Sequence, residues 1–163
     1  MKAKMKHQQV RTTYTHLDAL MASPDHPLPQ AKRLHQLTRM WGGLASLESS
    51  PEPYHDDWRV CSDAVNLMET LVDMGVCEDS SGLLQDAVSA LAIAGARHIE
   101  KNVPIRLDGP GMLAVRAILE DYAAVLEQIP ARTAIMAHIK TERRVQEILR
   151  GKRKPHDIKL SPA

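Results

Sequence analysis

His35, the adjacent pair His55-Asp56, and Asp121 form the one set of side chains in this sequence that could hold a metal ion. Imidazole nitrogens and carboxylate oxygens suit a divalent cation, and such a cation would activate water against a phosphoester. The competing reading is structural. Pro53 shortly precedes the pair, and an aspartate after a proline-containing loop caps a helix.

The order His, His-Asp, Asp is that of the all-helical HD-type phosphohydrolases, which makes a metal-dependent phosphohydrolase one expected function. Other acids fit a catalytic role less well. Glu69 and Asp73 stand four apart, and Glu120 and Asp121 are neighbours. Neither spacing matches the Glu-x-x-Glu or Glu-x-x-Asp pairs with which helical pyrophosphohydrolases bind Mg²⁺. They are expected on solvated sides of helices. There is no Walker loop, no G-x-S-x-G and no G-x-G-x-x-G. Gly109-Pro110-Gly111 is a turn, because the proline removes a backbone donor that a phosphate cradle would need. His98 and His138 are expected as half-buried core histidines. No resident metal or cofactor is expected.

A different chemistry resides in the stretch ERRVQEILRGKRK, residues 142 to 154. At 100° per residue Ile135, Ile139, Val145 and Leu149 share one side of a helix, and Arg132, Lys140, Arg143, Arg144 and Arg150 the other. With Lys152, Arg153 and Lys154, the residues Arg143, Arg144 and Arg150 make a basic surface that could position a phosphate backbone. It cannot read bases, because Pro155 and Pro162 leave no room for a recognition helix. A nucleic-acid-associated accessory protein is thus a second expected function.

The elements that must carry these residues are helical. Apolar residues recur at spacings of three and four, and strand alternation is absent. Val10, Tyr14, Leu17 and Met21 mark a first helix, ended by SPDHPLP. Leu34, Leu37, Trp41, Leu44 and Leu47 mark a second, in which Gly42-Gly43 implies a kink or the close approach of a neighbour. Trp58, Cys61, Val65, Met68 and Val72 mark a third, capped by Asp56 or Asp57 and stopped near Gly75. Ser80 or Ser81 can start a fourth, whose Ala87, Ala90, Ala94 and Gly95 would admit a close partner. Asp108 and Pro110 open a fifth, and Pro130 ends it and can open a sixth. The reading is an all-α bundle of five or six helices with one extended connection near residues 103 to 108. The domain is expected over residues 12 to 150, between a basic arm (1 to 11) and a basic tail (151 to 163).

With 163 residues, 44% apolar and no Phe, the core must be built from aliphatic side chains and eight Met. The net charge of +1 hides an asymmetry, since Lys2, Lys4, Lys6 and Arg11 stand at one end and eight Lys/Arg follow residue 139. The body between them is acidic. Cys61 and Cys77 are expected as unpaired, mostly buried thiols. MKAKMKHQQVRTTYTH has no apolar run of the signal-peptide kind, and no run approaches a membrane span. A bacterial cytoplasmic setting is expected, with no membrane partner. A homodimer through the helix of residues 58 to 72 and the fifth helix would bury any uncovered apolar stripe.

The blocks DDWRVCSDAVNLMETLVDMG, IRLDGPGMLAVRAILEDYAAVLEQIPART and GKRKPHDIKL resemble those of small proteins encoded by phages and prophages of Gram-negative bacteria. The likeness spans residues 30 to 160. It implies a mobile-element origin but transfers no activity and no site residues. It also implies a non-enzymatic role: binding a host or phage macromolecule, and so regulating or inhibiting a host system, a defence system included.

Overall fold

The computed structural model describes residues 14 to 151. Among them lie six helices and no strand: α1 (His16–Met21), α2 (Gln30–Ser49), α3 (His55–Asp73), α4 (Leu84–Lys101), α5 (Gly109–Gln128) and α6 (Ala131–Leu149). The expected all-α bundle and its extended connection, residues 102 to 108, are both present. None of these helices is long and apolar enough to cross a membrane. The basic arm and residues 152 to 163, with Lys152, Arg153 and Lys154, lie outside the described residues.

Local chemistry sets the helix ends. Asp108 caps α5 by accepting the Gly111 N–H at 2.6 Å, with Pro110 in the first turn. Gly75, at φ +72°, ends α3, and the Val76 N–H returns to the Leu71 carbonyl at 3.0 Å. Two starts differ from expectation. Asp57 lies inside the first turn of α3 and reaches back to the Tyr54 N–H at 2.9 Å and the Ser46 hydroxyl at 2.6 Å, so neither Asp56 nor Asp57 is the cap residue. Neither Ser80 nor Ser81 begins α4. Asp79 gathers the N–H groups of Gly82 and Leu84, both at 3.1 Å, and the helix starts at Leu84.

α3 is the central helix, packed against α2, α4, α5 and α6. Its stripe of Cys61, Val65 and Met68 is buried, and α5 contributes Val115, Ile118, Leu119, Tyr122 and Leu126 to the same core. Both helices expected to carry a homodimer direct much of their apolar surface into this core, although Leu113 of α5 stays exposed. α2 is continuous through Gly42-Gly43, and close approach is the reason for the glycine. A Cβ on Gly43 would meet Val60 and lie 2.8 Å from the backbone carbonyl oxygen of Asp57. Because that oxygen cannot swing aside, Gly43→Ala is expected to cost about 1–3 kcal/mol in urea unfolding, despite alanine's better helix propensity.

α1 and α6 form an outer layer. α1 packs chiefly on α6, whereas α6 packs on α1 and α3. Arg132, expected on a solvated basic face, is instead half-buried and clasps the C-terminal end of α1. Its guanidinium donates to the carbonyls of Ala19, Leu20 and Ala22, each at 3.2 Å. The loop between α1 and α2 completes the first turn of α6, with Ala131 N–H donating to His26 O at 2.7 Å and Arg132 N–H to Ser23 O at 3.0 Å. Thr15 and Asp18 close the other end of α1 as a reciprocal capping box.

Candidate functional site

The residues of the expected metal set are not brought together. His35 is exposed on α2, and His55 opens α3 with its ring tilted against Trp58 at 5.4 Å. Asp56 is exposed and pairs with Arg59 at 3.6 Å, one turn away on its own helix. Asp121 is half-buried on α5, and burial, aided by Asp79 and Glu120, pushes its carboxyl up. Among the described residues, no three His, Cys, Asp or Glu side chains form a group that could hold a metal. The order His, His-Asp, Asp is thus not reproduced in space, and the phosphohydrolase reading loses its geometry. The thiols do not replace it. Burial holds Cys61 up at about 12, and Cys77 is half-buried and also raised. A thiol held protonated is a poor nucleophile.

The largest departure concerns Arg144. It is only 8% exposed and does not belong to the basic outer face. Its guanidinium lies 3.0 Å from the Glu69 carboxylate and donates to Asn66 O, also at 3.0 Å. Glu69, expected in solvent, is 2% exposed, while Asp73 one turn on is exposed as expected. Burial outweighs the attraction of Arg144, so the Glu69 carboxyl is pushed up overall. Beside the pair, the hydroxyls of Thr70 and Thr141 lie 2.6 Å apart. This is a structural fastening of α6 on α3.

What survives of the basic face is Lys140, Arg143 and Arg150, all exposed. Leu149, expected in the core with Val145, is exposed as well. Arg143 also borders a shallow groove of about 300 Å³ between the start of α1 and α6, lined by Tyr14, His16, Ile139, Glu142 and Gln146 among others.

His98 and His138 are half-buried, as expected. The Nδ1–H of His98 donates to Val103 O at 2.7 Å and ties the extended connection to α4. His138 sits among Tyr14, whose ring meets it edge-on at 5.2 Å, Gln36 and Tyr122. The Gln36 amide donates to the Tyr122 hydroxyl at 2.6 Å and to His138 Nε2 at 3.3 Å. Burial lowers the imidazole to about 4, so it is neutral and accepts.

The feature missed in the sequence is the outer face of α1. Leu17, Leu20 and Met21 are 66%, 71% and 81% exposed, and their spacing places them together on one side of the helix. The sequence reading turned Leu17 and Met21 inward, because a stripe at helical spacing ordinarily faces a core. α1 departs from that rule since it is held by Ala19 and by its own carbonyls on Arg132. No family model matches the chain, and no curated protein or solved structure matches it either.

Proposed function

We propose that the protein acts by binding: a non-enzymatic, helical interaction protein of phage or prophage origin that works in the bacterial cytoplasm. It docks on a host or phage protein through the outer face of α1, and so inhibits or redirects a host system, a defence system among the candidates. The observation that carries this reading is the exposure of Leu17, Leu20 and Met21 on a helix fixed to the bundle from behind. Large apolar side chains grouped on a surface mark contact sites more often than isolated ones do. The reading is tested by capture from host extract with and without nuclease, followed by binding of the purified pair. A partner retained after nuclease and lost with Leu17→Ser/Leu20→Ser/Met21→Ser supports it, whereas capture that nuclease abolishes refutes it.

A second reading keeps the basic face. Lys140, Arg143 and Arg150 recur at helical spacing on the exposed side of α6, and the basic tail follows them in sequence. They suit non-specific phosphate contact by an accessory protein, and such binding weakens steeply as salt rises.

A further inference from the structure

We propose that α1, the loop of residues 22 to 27 and α6 form a hinged layer that lifts from the body of α2 to α5, where Leu28 is buried and held by Arg33 of α2, when the buried imidazole of His138 takes up a proton.

Three features define the layer. Its parts are bound to one another through Arg132 and through the loop carbonyls on Ala131 and Arg132. Both of its connections to the body pass a proline, Pro29 at the start of α2 and Pro130 at the start of α6. A proline has no N–H to donate, so neither junction is a continuous helix.

The interface beneath the layer is the third feature. The buried apolar side chains of α6 are mostly small: Ala131, Ala134 and Ala137, with Ile135 and Ile139. Between and beyond them, at every third residue, stand His138, Thr141 and Arg144. Each meets a polar partner on the body: Gln36 for the first, Thr70 for the second, Glu69 and the Asn66 carbonyl for the third. A polar ladder fixes register, but it attracts less than an apolar seam of the same size and depends on the ionisation of its members.

His138 is the member that acid switches. It accepts from Gln36 through Nε2, and protonation makes that nitrogen a donor facing a donor. From the segment before α1 it faces Tyr14, from α2 Gln36, and from α5, through Gln36, Tyr122. Asp18 on α1 is bound to Thr15. Glu142 follows one turn along α6, and α3 presents Glu69 to α6, paired with Arg144. Among the described residues, the hydrogen bond and the ring contact of His138 are made with Gln36 and Tyr14, neither a carboxylate, and burial lowers its imidazole.

The direction of the effect follows from linkage. A histidine depressed to about 4 from its ordinary value of 6.5 contributes stability that is fully present above the unfolded value and is lost as pH falls from there through the folded one. Asp63, Glu69 and Asp121 are raised by burial, so their contribution runs the other way and does not produce the acid loss.

The test is amide hydrogen exchange of the full chain at pH 7 and pH 4.5, corrected for the intrinsic rate. Amides of α1 and α6 are expected to lose protection on the order of fiftyfold at the lower pH, while those of α3 and α5 keep theirs. In His138→Gln the drop should disappear. If layer and body lose protection together, or if the variant shows the same drop, the proposal is overturned. Should His138→Gln fail to fold, NMR titration of the imidazole in the unmodified chain decides. A midpoint coinciding with the opening of α6 supports the proposal, and a ring that titrates while α6 stays closed overturns it.

Discussion

Arg144→Ala is expected to cost about 3–5 kcal/mol in urea unfolding, among the largest losses available to a single side chain in this fold. Arg144 and Glu69 are both almost fully buried, and removing the guanidinium leaves a carboxylate in an apolar setting. The Glu69 carboxyl is already raised by burial, and without Arg144 it must rise further. Its folded value then lies above its unfolded one, so the associated stability is present in acid and lost as pH rises through the folded value. The cost of Arg144→Ala should therefore be greatest at neutral pH and shrink on acidification. Glu69→Leu combined with Arg144→Met should recover most of the loss, because a well-packed apolar pair has no desolvation penalty to offset. A loss below about 1 kcal/mol in the single variant would mean that the pair is solvated, since exposed pairs contribute no more than that.

Trp58→Ala is expected to cost a similar amount, about 3–5 kcal/mol, through loss of a large side chain at the α3–α4 contact. The indole lies over Gly95, and its Nε1–H donates to the Leu91 carbonyl at 2.9 Å. A Cβ on Gly95 would fall 2.8 Å from the indole Cζ2. Gly95→Ala alone should therefore destabilise, by roughly 1–3 kcal/mol. In the Trp58→Ala background the same change should become neutral or stabilising, since the space is then open and alanine favours a helix by about 1 kcal/mol over glycine. That reversal of sign in a double-mutant cycle is the diagnostic result. Equal effects in both backgrounds would show that indole and glycine do not meet.

The Trp58–Gly95 contact also marks how far the sequence is legible. The spacing of Trp58, Cys61, Val65 and Met68 places the indole on a core face. The small residues of α4 announce a close neighbour, and Asp108-Gly109-Pro110 announces the start of α5. These signals are local, and each survives into the structure. Arg144 shows the opposite case. Its partner Glu69 is distant in sequence, and no helical periodicity links them. Ile135 and Ile139 are buried as their spacing implies, but the buried side of α6 also takes in Ala134, Ala137, Thr141 and Arg144, which carry little hydrophobic signal, and it leaves Leu149 exposed. α1 fails for a related reason, because a short helix anchored through its carbonyls need not bury its leucines. The metal set fails because helical order along a chain says nothing about which turns meet. Four residues in a suggestive order came to lie on three different helices, α2, α3 and α5.

Binding through α1 is tested most directly by affinity for a purified partner measured across salt concentrations. Leu17→Ser/Leu20→Ser/Met21→Ser should abolish binding while leaving the thermal midpoint nearly unchanged, since these side chains are exposed. Lys140→Ala/Arg143→Ala/Arg150→Ala should leave binding largely intact, and the affinity of the unmodified protein should vary little with salt. The contrary pattern would contradict the account: binding indifferent to the α1 changes, weakened by the α6 changes and falling steeply with salt, as phosphate contacts do.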